Sequence, residues 1–402
     1  MPGSDETDSG EMRPSALDQG SRNDNTARLR STLSGNRWRA LRIGEPRLDG
    51  IVPPSGCAQP AARSLSGRGE CPSGAGLADG RAVWTDGGAG LSCGPRFDVE
   101  LTSSGYAWWY IDALSDDRRH GLTIIAFVGS VFSPYYAAAR RRGTANPENH
   151  VAMNVALYGP RAHRWAMTER GKASLRRSQK ALAIGPSHVV WDSDTLRIGI
   201  REWAVPLPQR IEGEVEIRPE SLSTGAHRLD AAGRHMWCPI APLARASVRM
   251  RRPDLSWEGM AYIDSNIGAE PLADAFRDWN WSRSIESAQT RIFYDLERSD
   301  GTTQALALSY DRGGTVSPIQ TPRQTRIGHS RWRLPLDIRS ERSEAARRVE
   351  AWEDGPFYAR SLIEHQLDGK CELSVHERLS LERFERPWVQ AMLPFRMPRR
   401  TF

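Results

Sequence analysis

Apolar and polar residues alternate along most of the chain after residue 97. The alternation is clearest at residues 195–201 and 213–218, which turn-forming residues flank, and it recurs at 376–381. Because successive side chains of an extended strand point to opposite faces, this period of two predicts half-buried β-strands. Residues 291–297 and 304–310 are also strand-like, and the Ser-Asp-Gly triplet between them predicts a hairpin closed by an Asp-Gly turn.

Helical periodicity is limited to three segments: part of 162–182, 270–278 and 343–353. Many short strands without a repeat of 20–50 residues predict an all-β protein, built as one long or two stacked barrels or sandwiches. An alternating run ends near residue 250 in the sequence Arg-Arg-Pro-Asp. We therefore expect two β-domains, at residues 95–250 and 251–402.

The first 94 residues differ from the rest in composition. They contain Trp38 and Trp84 but neither Phe nor Tyr, whereas the remaining 308 residues hold 30 aromatic side chains. The segment is rich in Gly, Ser, Pro and Arg, so it can bury little apolar area. We expect residues 1–94 to be a disordered, low-complexity extension.

The charge balance says little about partners. The formal net charge is +6, but all except three of the 55 cationic residues are arginines, and these are scattered. Scattered arginine is weak support for nucleic-acid binding, so no nucleic-acid partner is predicted. The denser runs at 140–142 and 399–400 leave two interpretations open, solvated loop charge or contacts to an anionic membrane surface.

No segment is predicted to enter a membrane. The most apolar stretch, residues 122–132, is interrupted by Gly and Ser and is too short to span a bilayer. The N-terminus is acidic and polar and lacks the apolar region of a signal peptide. The five cysteines show neither a disulfide framework nor metal-ligand spacing. These features predict a cytoplasmic protein, soluble or peripheral to the membrane.

Motifs for nucleotide cofactors and metals are missing from the sequence. It has no Walker A loop, no Gly-x-Gly-x-x-Gly between a strand and a helix, and no His-Glu-x-x-His. Residues 90–94 match Gly-x-Ser-x-Gly, but they follow a Gly-rich run and precede Pro95, where a nucleophile elbow needs a strand and a helix. We interpret that match as chance and predict no cofactor.

Two short segments carry residues suited to acid chemistry. In extended chain His235 and Trp237 share one face, and so do Tyr262 and Asp264. An Asp among aromatic side chains has a raised pKa, because desolvation disfavours the carboxylate. Raising an Asp pKa from ~3.9 to ~7 costs about 4 kcal/mol, and such strain is more usual at functional sites than in plain cores.

A purely structural interpretation competes at every one of these positions. His235 is also explained as a hydrogen-bonded barrel histidine, and Trp237 as a core residue. Tyr262 and Asp264 are also explained as the end of a strand followed by a turn. The spacing alone therefore leaves both interpretations open.

Longer motifs add a family resemblance. The sequence closely resembles the carotenoid 1,2-hydratases, or hydroxyneurosporene synthases, of purple phototrophic bacteria. The matching stretches are GYAWWYIDALSDD (105–117), FVGSVFSPYY (127–136), NVALYGP (154–160), WAMTER (165–170), the region 235–242, DSN (264–266), DWNWSR (278–283), PFYARS (356–361) and MLPFRMPRR (392–400). The resemblance begins near residue 97, which leaves residues 1–94 outside it.

The resemblance implies two lipocalin-like β-domains and a cofactor-free hydratase. Its substrates would be water and an acyclic carotenoid such as neurosporene or lycopene, hydrated at the terminal C1–C2 double bond. The residues implicated in the family's activity match His235, Trp237, Tyr262 and Asp264. Met236 departs from the family, in which Arg is common at that position.

The mechanism implied assigns Asp264 as the acid that protonates C2. Trp237 and Tyr262 would stabilise the tertiary cation, and His235 would orient the acid or the water and accept a proton. Since carotenoids are membrane solutes, we expect peripheral contact with the cytoplasmic face of the inner photosynthetic membrane, through residues 122–136 and 392–402. A lipocalin-like carrier of carotenoid or another apolar ligand, and a proton-initiated isoprenoid cyclase or isomerase, remain alternatives.

Overall fold

The computed structural model describes residues 75–78, 81–84, 94–223, 225–286 and 288–400. The described residues all belong to one compact unit. Ala75–Ala78 (β1) pairs with Arg81–Trp84 (β2) as an antiparallel ladder. Apart from these two strands and Gly94, the predicted disordered extension lies outside the described residues.

A thirteen-stranded sheet makes up the first half of the fold. Its strands before residue 270 are β3 (Tyr106–Ser115), β4 (Gly121–Val128), β5 (Val151–Tyr158), β6 (Arg164–Arg170), β7 (Leu175–Arg177), β8 (Ala181–Ile184), β9 (Ser187–Asp192), β10 (Thr195–Trp203), β11 (Arg210–Pro219), β12 (His227–Arg228), β13 (His235–Arg252) and β14 (Asp254–Gly268). The order is β6-β5-β4-β3-β14-β13-β11-β10-β9-β8-β7, all antiparallel, and β12 pairs with β13. The sheet curls around its own apolar interior, as lipocalin-like barrels do.

Strand β3 is buried on both faces, which explains its nearly continuous apolar and aromatic sequence. Trp109 and Ile111 point into the interior of the first sheet. Trp108 and Tyr110 point the other way, into a cluster shared with a second sheet. The inner strands of the first sheet therefore carry two apolar layers, and the candidate acid lies in the outer one.

The second sheet has seven antiparallel strands in the order β18-β17-β16-β15-β23-β22-β21. The strands are β15 (Phe276–Ser284), β16 (Gln289–Arg298), β17 (Thr303–Asp311), β18 (Val316–Pro318), β21 (Arg347–Asp354), β22 (Tyr358–Leu367) and β23 (Lys370–Ser380). Between them, β19 (Gln324–His329) and β20 (Pro335–Arg339) form a separate ladder. The predicted hairpin is confirmed, because β16 and β17 pair around a turn in which Gly301 has φ +84°. At the C-terminus β24 (Arg399–Arg400) returns to the first sheet, parallel to β6.

Helices are few and short, as predicted, but most lie elsewhere than expected. They are α1 (Pro134–Arg141), α2 (Leu272–Ala275), α3 (Leu381–Phe384), α4 (Pro387–Arg396) and 3₁₀ turns at Pro147–Asn149, Lys172–Ser174 and Ser343–Ala345. In the described part of the chain, no helix has the length and hydropathy to cross a membrane. The helix predicted at 343–353 was wrong, because Ser343–Ala345 make only a 3₁₀ turn and the residues from Arg347 onwards form the edge strand β21, whose exposed polar face resembles that of an amphipathic helix. Residues 162–182 are likewise mostly strand, and 270–278 contain only one helical turn.

The all-β prediction is confirmed by these sheets. The expected break near residue 250 coincides with the tip of the β13–β14 hairpin, and β14 lies in the first sheet between β13 and β3. The chain passes to the second sheet between Gly268 and Phe276. The division into domains at 95–250 and 251–402 stays a prediction.

Candidate active site

The hairpin of β13 and β14 brings Trp237, Tyr262 and Asp264 together. Trp237 pairs in register with Asn266, and Asp264 lies opposite Pro239 next to an irregularity in the ladder. The Trp237 indole Nε1 and the Tyr262 hydroxyl each donate a hydrogen bond of 2.9 Å to Oδ2 of Asp264. The shared faces that the period of two predicted are therefore present for these three side chains.

Asp264 is a buried carboxyl group with no cationic partner among the described residues. It is 4% exposed. Burial raises its pKa to about 8, the hydrogen bonds from Trp237 and Tyr262 oppose this shift, and the nearby Glu377 and Asp112 add to it. The group is therefore a neutral acid at pH 7.

The two carboxyl oxygens of Asp264 have different environments. Oδ2 accepts both hydrogen bonds, whereas Oδ1 is buried and has no hydrogen-bond partner within the described part of the chain. An oxygen that already accepts two hydrogen bonds is a poor site for the acidic proton. The proton therefore belongs on Oδ1, the oxygen that is free to donate it.

Aromatic rings surround the acid. Tyr294 of the second sheet lies 5.2 Å from Trp237, and Trp281 lies 5.5 Å from Tyr262, measured between ring centroids. Trp279 is 6.0 Å from Tyr294. Such rings desolvate the carboxyl group, and their π faces stabilise a nearby cation.

His235 lies on the same strand but has other partners. Its Nδ1 is hydrogen-bonded to the Tyr106 hydroxyl at 2.8 Å, and its Nε2 lies 3.5 Å from Oε1 of Glu270. This contact with His235 is the largest cause of a lowered pKa for Glu270. Within the described residues no hydrogen bond joins His235 to Asp264, so the predicted contact between imidazole and acid is not observed.

A second Tyr-Ile-Asp sequence, at Tyr110–Asp112 on β3, lies beside Tyr262 and Asp264. Tyr262 pairs in register with Asp112, and Asp264 with Tyr110. The Tyr110 hydroxyl lies 3.1 Å from Oδ2 of Asp112, which repeats the Tyr262–Asp264 contact, and 2.9 Å from Oε1 of Glu377, so its one hydrogen is shared between two carboxyl groups. The sequence interpretation missed Asp112, although the repeated tripeptide was a signal that could have found it.

Asp112, unlike Asp264, is paired with arginines. Arg283 forms a close ion pair with Asp112, and Nη2 of Arg360 lies 3.4 Å from Oδ2 of the same carboxylate. Arg360 also pairs with Glu377, and its Nη1 donates to the Tyr110 hydroxyl at 2.5 Å. These charges come from the second sheet, 171 and 248 residues from Asp112 along the chain.

In the described residues no group of three or more His, Cys, Asp or Glu side chains is arranged to hold a metal ion. A cavity of about 300 Å³ lies between the sheets and α4, with Tyr158, Trp352 and Arg396 in its wall, and none of the four predicted residues lines it. Met236, which departs from the family, packs into the interior of the first sheet, away from the face of Trp237.

Comparison with known proteins identifies the family. The family model described as Carotenoid hydratase CrtC matches residues 124–402. Acyclic carotenoid 1,2-hydratase of Thiocapsa roseopersicina is 48% identical over 379 residues, which cover 94% of this chain and 94% of that protein. The enzyme of the same name from Rubrivivax gelatinosus is 43% identical over 376 residues, 93% of each chain. The chain therefore belongs to the carotenoid hydratase family.

These matches correct one expectation. Since 379 of the 402 residues are matched in the Thiocapsa protein, most of residues 1–94 are matched as well, and the resemblance does not begin near residue 97. Among solved structures, a candidate AttH protein from Nitrosomonas europaea aligns with a TM-score of 0.47 and 14% identity, over 69% of this chain and 92% of that one.

Proposed function

We propose, from membership of the carotenoid hydratase family, that this chain adds water to the terminal C1–C2 double bond of acyclic carotenoids. The product is a tertiary alcohol at C1. The observation that carries the chemistry is a buried carboxyl group, Asp264, which is neutral at pH 7 and has one free oxygen. An isolated alkene is a weak base, so its hydration needs an acid of this kind.

Asp264 starts the reaction by transferring the proton on Oδ1 to C2. The π electrons of the double bond form the new C2–H bond, and C1 becomes a tertiary cation. Trp237 and Tyr262 continue to donate to Oδ2, so they stabilise the carboxylate that forms. The ring faces of Trp281 and Tyr294 stabilise the cation, an effect worth about 2 kcal/mol in a desolvated site.

His235 is assigned a role at the solvent side of this cluster. It is fully buried, but its neighbour Glu270 has a side chain that is 25% exposed. The pair connects the aromatic interior with the surface, where protons exchange with water. We assign His235 to this exchange and to holding Tyr106, rather than to direct contact with Asp264.

The activity is tested with lycopene and neurosporene in detergent micelles and chromatography of the pigments. Wild type is expected to give a more polar, hydroxylated product, and Asp264→Asn is expected to lose it by about 10²- to 10⁴-fold, the usual contribution of a general acid. Asp278→Asn is the matched control, because Asp278 also has a pKa raised by burial but pairs with Arg378 at 3.2 Å. Unchanged lycopene with wild type would favour a carrier, and an isomeric hydrocarbon would favour an isomerase.

Contact with a membrane is proposed at α4. Trp388, Met392 and Phe395 follow one another at helical spacing on its exposed side, with Phe395 84% exposed, and Trp332 stacks on Trp388 at 5.9 Å. Arg386 precedes the helix, and aromatic rings beside arginine suit an anionic lipid surface. The other segment expected at the membrane was residues 122–136, of which 122–128 are almost wholly buried in β4 and offer no such surface.

Flotation with liposomes tests this contact. Wild type is expected to float with vesicles containing anionic lipid, and the double variant Trp388→Gln/Phe395→Gln to stay at the bottom of the gradient. The matched control is Trp203→Gln/Leu207→Gln, which removes another pair of exposed apolar side chains. Equal flotation of both double variants would contradict the proposed surface.

A further inference from the structure

Asn266 is a buried amide on the same face as the acid. It lies two residues after Asp264 on β14, so both side chains point towards the second sheet. Its register partners are Trp237 on β13 and Trp108 on β3, and it is 3% exposed. An amide is thus enclosed by tryptophans directly beside a neutral carboxyl group.

The Asn266 amide keeps an unused donor. Its Nδ2 has no hydrogen-bond partner among the residues that the structure describes. Its side chain lies within hydrogen-bonding reach of the Tyr294 hydroxyl, but the amide carries two N–H donors, so one of them stays without a partner even if the other serves that hydroxyl. A buried donor without a partner costs about 1–3 kcal/mol, so an apolar residue would be more stable here unless the donor serves a ligand.

We infer that Asn266 holds the water molecule that attacks C1. The inference rests on the proposed hydration and extends it to the second half of the reaction. One lone pair of the water accepts the Nδ2 hydrogen, and the other lone pair faces the cation. Asn266 contributes to catalysis by positioning the nucleophile, and Asp264 by supplying the proton.

The reaction balances with these two residues. Asp264 has given its proton to C2, so Oδ1 is an anionic acceptor when the water attacks. The C1–O bond forms, one O–H bond of the water breaks, and that proton returns to Oδ1. The acid is thereby regenerated, and the net change is the addition of one water molecule. Since C1 and C2 are bonded to each other, alternate residues of one strand can serve both atoms.

The need for a held water follows from the surroundings. A tertiary cation among tryptophan and tyrosine rings loses a proton readily if no nucleophile is in place. Loss from C2 returns the alkene, and loss from a methyl group gives a terminal methylidene isomer. The ratio of hydrated to deprotonated product therefore reports how well water is positioned, independently of how much active protein is present.

The test uses two variants of equal shape, Asn266→Val and Asn266→Thr, which both suit a strand and differ in a hydroxyl donor. Each is incubated with lycopene in D₂O, and mass spectrometry gives the ratio of hydroxylated product to deuterium-exchanged alkene. Asn266→Val is expected to lower this ratio at least tenfold while deuterium exchange into the alkene continues. Asn266→Thr is expected to give a product ratio several times that of Asn266→Val.

Three results would overturn the inference. The first is an unchanged product ratio in Asn266→Val, and the second is an equal ratio in Asn266→Val and Asn266→Thr. The third is a folded Asn266→Val that loses deuterium exchange together with hydration. If Asn266→Val is insoluble, Asn266→Leu is compared with Asn266→Thr by the same criteria. Failure of the proposed function looks different, because then wild type forms no alcohol or Asp264→Asn still exchanges deuterium.

Asn280→Val is the matched control. Asn280 is also buried, at 5% exposed, and its Oδ1 has no partner within the described residues. It lies on β15 between Trp279 and Trp281, so its side chain points to the opposite face from theirs. The variant is expected to gain stability like Asn266→Val, because each removes a buried polar atom without a partner, but to keep the wild-type product ratio.

Discussion

Two copies of Tyr-Ile-Asp lie side by side in this fold, and they differ in their charged partners. Tyr110–Asp112 and Tyr262–Asp264 are on neighbouring antiparallel strands, paired in register, and each tyrosine donates to its own aspartate. Arg283 and Arg360 reach Asp112, whereas the donors to Asp264 are the neutral Trp237 and Tyr262. The first sheet thus supplies two buried carboxyl groups in equivalent positions, and the second sheet supplies arginine partners to only one of them.

The physical reason is the cost of burying charge. A buried carboxylate is stable only with cations and hydrogen bonds that replace water. Neutral donors offset part of that cost, which is why the pKa of Asp264 is still raised to about 8. The ion-paired Asp112 therefore stabilises the contact between the two sheets, and Asp264, which has no cationic partner among the described residues, is able to donate a proton.

The largest expected contrast is in stability. Asp112→Asn leaves Arg283 and Arg360 with a carboxylate fewer, so we expect a loss of about 3–5 kcal/mol in the free energy of unfolding. Asp264→Asn should stabilise the protein instead, because the folded state favours the uncharged acid. Denaturant unfolding at pH 7 measures both, and a loss in Asp264→Asn would contradict the assigned neutral state.

The stability gained in Asp264→Asn should increase with pH. The pKa of Asp264 is raised from 3.8 to about 8 on folding, so the acid's stabilising contribution is complete below pH 4 and is lost between pH 4 and 8. Asp264→Asn does not titrate, and its advantage over wild type should therefore grow from near zero at pH 4 to about 4 kcal/mol at pH 7. Unfolding curves measured across that range check the slope.

The pH dependence of catalytic activity should also report the ionisation of Asp264. Because the acid must carry its proton, turnover of lycopene is expected to be constant below pH 8 and to fall tenfold per pH unit above it. The measurement is initial rate against pH at saturating substrate. A rate that instead rises through pH 8 would mean that the working form is the carboxylate.

The smallest contrast is between the two tyrosines. Tyr262→Phe removes a hydrogen bond that lowers the pKa of Asp264, so the alkaline fall in activity should move to higher pH, with a rate about tenfold lower on the plateau. Tyr110→Phe removes a donor to Asp112, which keeps its arginines, and is expected to cost about 1 kcal/mol of stability. Equal shifts of the pH profile in both variants would remove the distinction between the aspartates.

Local pattern was enough to predict part of this site. Alternation predicts the strands and the shared face of Tyr262 and Asp264, because both depend on residues two positions apart. The partners of Asp112 and His235 were not predictable in this way. Arg283 and Glu270 reach them through the packing of distant segments, and no periodicity within one strand specifies which strands meet. The helix α4 was missed for a different reason, because Pro394 lies inside it and proline in a sequence usually indicates the end of a helix.

The order of strands also makes the second sheet an insertion. The chain leaves the first sheet after Gly268, builds β15 to β23, and returns to pair β24 with β6. Residues between these points form a cassette that supplies Tyr294 and Trp281 to the acid without carrying the acid itself. Exchanging this cassette between relatives would change the environment of the proton donor while leaving its strand intact, and so offers a modular way to retune acidity by recombination.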